Sequence, residues 1–109
     1  MYECFEVTID DNVAHIRLIR PEKRNSITTE FWEELPEIVA AIDNNSKARV
    51  IVISSTGPHF CSGLDISSFG SADEKKPSGQ EEKTQRNAAF YHNVLHLQNS
   101  FSCLETARI

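Results

Sequence analysis

Three cysteines, Cys4, Cys61 and Cys103, are all the thiols in 109 residues. They are odd in number and widely spaced, and they include no metal-type Cys-x-x-Cys pair. No disulfide framework is expected, and a reducing compartment fits. Basic excess is missing too. Eleven Lys and Arg face sixteen Asp and Glu, for a net charge of -5. That balance argues against nucleic acid as a partner, because such binding needs a positive patch dense enough to release counterions. The acidic excess lies in residues 1–70, where six basic side chains meet eleven acidic ones, while residues 71–109 balance five against five. No apolar run is long enough to cross a bilayer, so membrane insertion is not expected. Strand-like sequence begins almost at Met1, with no charged-then-apolar leader, no lipid-anchor motif and no Ser-Lys-Leu tail. The chain reads as soluble, without a targeting signal.

Common catalytic signatures are absent as well. Ser62 is not in a Gly-x-Ser-x-Gly elbow, because Phe60 takes the place of the first glycine. Gly57 and Gly63 have the wrong spacing for a phosphate-binding loop, and Leu64 stands where its lysine would be. His92 and His96 lie four apart, but no acidic residue completes a His-Glu-x-x-His motif, so they read as polar residues of an amphipathic helix. His59 and Cys61, even with Asp65 added, do not by themselves build a catalytic dyad or a metal site. No internal repeat is evident, and the length suits one domain with one core.

What is present is an ordered alternation of elements. Phe5, Val7 and Ile9 alternate with Glu6, Thr8 and Asp10, and after Asp11-Asn12 the pattern resumes with Ala14, Ile16 and Leu18, predicting a β-hairpin. From Thr28 the period becomes helical. Phe31, Leu35, Ile38, Val39 and Ile42 mark one face, and Glu30, Glu33, Glu34 and Glu37 the other, giving a helix from about Thr28 to Asn44. Thr28 is placed to cap it, and Pro36 predicts a kink or a short first segment. The run Val50 to Ile53 predicts a strand at Arg49–Ile53, buried on both faces. A helix linking two strands implies a parallel pair and hence an α/β fold, in the order β-β-α-β. Residues Ser67 to Gln85 have few large apolar side chains and read as a mobile loop. Ala89, Phe90, Val94, Leu97, Phe101 and Leu104 then predict a last helix at about Gln85–Leu104.

The turn after the apolar strand, Gly57-Pro58-His59-Phe60-Cys61-Ser62-Gly63-Leu64-Asp65-Ile66, is where function is expected, since ligands of open α/β sheets bind beyond the carboxyl ends of strands. Taken alone, Gly63 is an ordinary turn glycine and Asp65 the N-cap of a short helix. Phe60-Cys61-Ser62-Gly63-Leu64-Asp65, however, resembles the Phe-x-x-Gly-x-Asp signature of the enoyl-CoA hydratase/isomerase (crotonase) superfamily. Arg20-Pro21-Glu22-Lys23-Arg24-Asn25-Ser26-Ile27 resembles that family's Arg-Pro-x-x-x-Asn-x-Leu segment. His96-Leu97-Gln98-Asn99-Ser100-Phe101, Cys103-Leu104-Glu105 and the wording Gly63-Leu64-Asp65-Ile66 look most like the Δ(3,5)-Δ(2,4)-dienoyl-CoA isomerase branch.

The resemblance implies the amino-terminal part of a crotonase-like domain spanning 1–109, and a coenzyme A thioester as substrate without a prosthetic group. The main-chain N–H of Leu64 would serve as one oxyanion donor. Cys61, Ser62, Gly63, Leu64, Asp65, Ile66 and Ser67 would shape the substrate site, and no metal is implied. Arg20, Lys23 and Arg24 are candidates for the cofactor phosphates, and each taken singly is equally a solvated basic residue. The family's second oxyanion glycine and catalytic carboxylates have no counterpart here, so an inactive truncated form is expected. An enoyl-CoA hydratase and a non-catalytic coenzyme A-binding or subunit-interaction fragment are the alternatives. The family also implies a homo-oligomer, trimer or hexamer, and a mitochondrial or peroxisomal location, with the cytoplasm open for want of a signal.

Overall fold

A computed structural model describes residues 2–69 and 80–109. Two strands, β1 (Phe5–Asp10) and β2 (Val13–Leu18), form an antiparallel hairpin in register Phe5↔Leu18 through Asp10↔Val13. The connection is the two-residue kind, with both Asp11 (φ 49°) and Asn12 (φ 64°) left-handed. Such a turn matches the twist of the strands it joins. Helix α1 (Thr29–Asn45) follows, and β3 (Val50–Ser55) then pairs parallel with β2, from Val13↔Val50 to Leu18↔Ser55. The sheet order is β1-β2-β3, the α/β arrangement with a parallel pair that the sequence predicts. A four-residue α2 (Ile66–Phe69) and a long α3 (Gln80–Thr106) complete the described elements.

The core sits between one face of the sheet and α1. Phe5, Ala14, Ile16 and Leu18 project from the strands against Phe31, Leu35, Ile38, Val39 and Ile42, all buried. These helical positions fall at the i, i+3, i+4 spacing that lines one face. Phe31 lies 4.9 Å from Phe5 and 6.1 Å from Phe101, ring centre to ring centre, and Trp32 meets Phe101 edge-on at 5.2 Å. The hydroxyl of fully buried Ser100 donates to the Trp32 carbonyl at 2.7 Å, fixing α3 on α1.

Several expectations need correction. The helix runs through Pro36 as one 17-residue element, not as a short first segment. Thr28 occupies the N-cap position, but its hydroxyl makes no cap bond; it faces the buried Cys4 thiol at 3.4 Å. β3 is not buried on both faces. Ile51 and Ile53 face the core, but Val50 and Val52 are 46% and 44% exposed, because β3 ends the sheet and no described element covers its outer side. The segment read as a mobile loop is helical at both ends, since α2 takes in Ser67 and α3 starts at Gln80, five residues early. The rest of that expected loop, 70–79, lies outside the described residues. The early part of α3, Gln80-Glu81-Glu82-Lys83-Thr84, has no apolar residue to mark a stripe, and all but Thr84 favour helix.

Candidate functional site

After β2 the chain turns sharply at Pro21–Lys23, one 3-10 turn with proline in its first position, where the missing N–H costs nothing. Arg24 (φ 55°) and Asn25 (φ 54°) are both left-handed, and the loop closes on itself through Asn25 N–H to Arg20 O at 2.8 Å and Arg24 N–H to Pro21 O at 3.0 Å. Asparagine tolerates this conformation better than most residues. Asn25 is only 2% exposed, so its amide must find partners within the protein. Its Oδ1 accepts from Arg20 N–H at 2.9 Å, and its Nδ2 donates to Thr56 O and His59 O, each at 2.9 Å. One side chain thus joins the loop after β2 to the turn after β3.

The two segments then run side by side. Thr56 leaves β3 with its N–H and hydroxyl both on Leu18 O, at 3.0 and 2.8 Å. Gly57 (φ 77°) packs so closely on Pro21 that a Cβ there would lie 2.8 Å from the proline Cβ. Further along, Ser62 N–H donates to Arg24 O at 3.1 Å, Ile27 N–H to Gly63 O at 2.8 Å, and Asp65 N–H to Ile27 O at 2.8 Å. The last two bonds form a parallel bridge between Ile27 and Leu64. Such a bridge uses the carbonyl before Leu64 and the N–H after it, so the N–H of Leu64 itself points to the opposite side. Among the described residues it has no main-chain partner. Gly63, at φ 93°, has no atom within 4 Å of where a side chain would be, and the Leu64 side chain is 56% exposed. The segment around Leu64 is thus held from one side by its neighbours' bonds to Ile27.

The charged groups nearby divide into inward and outward sets. Arg20 turns inward, its Nη1 donating to Ser26 O at 3.0 Å and its Nη2 lying 3.6 Å from Asp65 Oδ2. Asp65 also accepts from the Ser67 N–H at 3.0 Å and from the hydroxyls of Ser67 and Ser26. The Ser67 hydroxyl, helped by the Ser67 N–H, Ser26 and Arg20, holds the Asp65 carboxyl below the usual carboxylate range. Asp65 therefore fills the N-capping place before α2, as the turn reading predicts. Of the three cations considered for phosphate, Arg20 is occupied in this clamp, whereas Lys23 and Arg24 are exposed.

Cys61 is half-buried and borders an apolar cavity of about 270 Å³ with Phe60, Ile27, Phe31, Phe101 and Leu104 among its walls. Ser62 and Ile66 face outward, as do His59, His92 and His96. Among the described residues no three His, Cys, Asp or Glu are grouped to hold a metal ion. The residue that sequence reasoning undervalued is Asn25. It stood there only as one letter of a motif, although an asparagine beside a turn-forming Arg-Pro step is a ready occupant of a left-handed, hydrogen-bonding position.

Comparison with known proteins bears on this arrangement. The sequence model of the enoyl-CoA hydratase/isomerase family matches residues 8–100. The mitochondrial Δ(3,5)-Δ(2,4)-dienoyl-CoA isomerase of Mus musculus is 40% identical over 106 residues, covering 95% of this chain and 32% of that protein. The peroxisomal Δ(3,5)-Δ(2,4)-dienoyl-CoA isomerase of Arabidopsis thaliana is 27% identical, covering 97% of this chain and 38% of its own length. The chain thus spans about a third of the curated relatives it matches. Among solved structures, a putative enoyl-CoA hydratase/carnithine racemase from Magnetospirillum magneticum AMB-1 superposes with a TM-score of 0.70 at 19% identity, over 99% of this chain and 36% of that one. An enoyl-CoA hydratase subunit I from Geobacillus kaustophilus HTA426 gives 0.70 at 23% identity, over 97% and 35%.

Proposed function

Because the chain belongs to the enoyl-CoA hydratase/isomerase family, we propose that its 57–67 turn binds the thioester carbonyl of an acyl-CoA and polarises it through the main-chain N–H of Leu64. The observation that carries this reading is the Ile27–Leu64 bridge, which leaves that N–H unpaired among the described residues beside the open space at Gly63. Removing a proton near a thioester builds negative charge on its oxygen as an enolate forms. A preorganised donor at that oxygen is worth roughly 3 to 4 kcal/mol of barrier. Such chemistry calls for no prosthetic group.

Lys23 and Arg24, exposed on the adjoining loop, are assigned to the phosphates of coenzyme A, with Arg20 held back as part of the Asp65 clamp. The general acid and base are assigned to no residue of this sequence. Asp65, next to the donor, already has its oxygens engaged by Ser67, Ser26 and Arg20. These 109 residues are accordingly read as a binding half-site that does not by itself turn over. The Δ(3,5)-Δ(2,4)-dienoyl-CoA isomerase reaction is favoured over hydration by the names of the relatives sharing 35 to 40% identity. The mitochondrial label of these relatives and the peroxisomal label of the Arabidopsis thaliana one support a mitochondrion or peroxisome as the setting, with fatty-acid β-oxidation as the pathway proposed. Exposed Val50, Val52, Phe90 and Tyr91 suit a multi-chain assembly such as a trimer or hexamer.

Titration with an acyl-CoA, alongside free coenzyme A, tests the reading. Gly63→Val should weaken thioester binding more than Leu64→Ala, because a side chain at 63 obstructs approach while Leu64→Ala keeps the N–H. Equal losses would argue against a main-chain donor. Incubation with a 3,5-dienoyl-CoA should give no 2,4-isomer above a buffer control, and turnover by a mass-verified 109-residue preparation would overturn the half-site reading.

A further inference from the structure

The Leu64 N–H is oriented by bonds that its neighbours make, so whatever sets the register between 24–27 and 62–65 sets the donor. Three main-chain bonds span that gap: Ser62 to Arg24, Ile27 to Gly63 and Asp65 to Ile27. Arg24 and Ser62 are exposed and Gly63 and Asp65 half-buried, so water can compete for these bonds from that side. The buried tie is Asn25. Its amide stands two residues before Ile27 and grips Thr56 O and His59 O, which fixes the turn through which β3 delivers the 60–65 segment. Its Oδ1 simultaneously holds Arg20 N–H, at the other end of its own loop. A side chain with one acceptor and two donors is needed at that point, and its backbone must be left-handed.

We propose that Asn25 is a positioning residue for the Leu64 main-chain donor: its amide fixes the register of the two segments and so the direction in which that N–H points. This rests on the reading of Leu64 as the thioester donor. No other side chain fits the place. Aspartate keeps the shape and the left-handed tolerance, but sets an oxygen against two carbonyl oxygens. Glycine suits the backbone and supplies no bond at all.

The experiment uses the 109-residue chain, Asn25→Asp, and Asn25→Gly as the variant that keeps the comparison alive should the first not fold. Amide hydrogen exchange is read at Ser62, Ile27 and Asp65, the donors across the gap, and in β1 and β2. The infrared carbonyl stretch of a bound ¹³C-carbonyl-labelled saturated acyl-CoA, together with its dissociation constant, reports the donor. Exchange at the three amides should rise at least about tenfold with the hairpin amides changed by less than about threefold, as for loss of bonds to a buried amide. The carbonyl stretch should move toward its value in water while affinity changes by less than about threefold, since Lys23, Arg24 and the apolar contacts are untouched. A uniform rise in exchange, or a carbonyl shift and affinity that fall together, would mark Asn25 as merely structural and overturn the proposal. Unchanged exchange at the three amides would overturn it too. If the parent chain shows no polarised carbonyl, the Leu64 reading fails on its own, and the selectivity of the exchange change alone decides whether Asn25 sets the register.

Discussion

Two glycines with positive φ frame the candidate site, and the structure assigns them different costs on substitution. At Gly57→Ala the new Cβ meets Pro21 Cβ at 2.8 Å and Pro21 Cα at 3.5 Å. Pro21 cannot step aside, because its ring is rigid and its carbonyl is tied to Arg24 N–H at 3.0 Å. The backbone, at φ 77°, adds strain of about 1 to 2 kcal/mol for a residue with a side chain. Overpacking adds about 1 to 3 kcal/mol. At Gly63→Ala the φ of 93° exacts a similar backbone cost, but the added methyl touches nothing within 4 Å.

Gly57→Ala should therefore destabilise by roughly 2 to 5 kcal/mol and Gly63→Ala by roughly 1 to 2 kcal/mol. Urea unfolding followed by circular dichroism measures both, with an expected slope of about 1 to 3 kcal/mol per molar. The contact itself is isolated by Pro21→Gly, which removes the opposing Cβ. In a double-mutant cycle Pro21→Gly should return the steric part of the Gly57→Ala loss, a coupling of about 1 to 3 kcal/mol, and leave the backbone part in place. Equal losses at the two glycines, or a cycle with no coupling, would refute the claim that the Pro21 contact separates them.

Ser100→Ala removes the buried hydroxyl that satisfies the Trp32 carbonyl and should cost about 1 to 2 kcal/mol, seen as a lowered melting temperature; a loss below about 0.3 kcal/mol would mean that water replaces it. Arg24→Ala should weaken coenzyme A binding at low salt and lose that effect as salt is raised, whereas an affinity indifferent to both would leave Arg24 a solvated surface residue. Since the folded-state pKa of Asp65 is depressed, its contribution to stability is present above the unfolded-state pKa and is lost as pH falls through the folded-state value. Asp65→Asn should lower the neutral plateau of a stability-against-pH curve and flatten its acid limb, the two proteins converging at low pH, and an unchanged plateau and acid limb would contradict the assignment. Amides of α3 between Ala88 and His96 should exchange faster than those from Gln98 onward, because Ser100, Cys103 and Leu104, in the later turns, are the α3 residues seen bonded to α1 or packed on the core among the described residues; uniform protection along the helix would count against this.

The hairpin, α1 and the strand after it were readable because each buries one face, which stamps a period of 2 or 3.6 on the sequence. Burial on the second face leaves no such mark. The run Val50 to Ile53 looks the same whether or not a layer covers its outer side, and here Val50 and Val52 are open. The polar Ser54-Ser55 hid the last two residues of β3, which belong to the strand through their pairing with Arg17 and Leu18. The first turns of α3 leave no mark for the converse reason: residues 80–87 include no large apolar side chain, so no stripe with a helical period shows there. At the site, both motifs could be found by their letters. The geometry between them could not, since it is carried by main-chain bonds and by one buried amide whose partners are carbonyls 31 and 34 residues away.

The Ile27–Leu64 bridge also bears on which substitutions the site can absorb. The main-chain N–H proposed to meet a ligand at position 64 is common to nineteen of the twenty amino acids, and the side chain beside it faces solvent. Deep mutational scanning should therefore find position 64 permissive, with proline as the sharp exception because it alone removes the N–H. Intolerance should gather at the residues that hold the two segments together: Asn25, Gly57 and Arg20. A map of tolerance drawn from such data would outline the frame of this site and leave its working atom nearly blank.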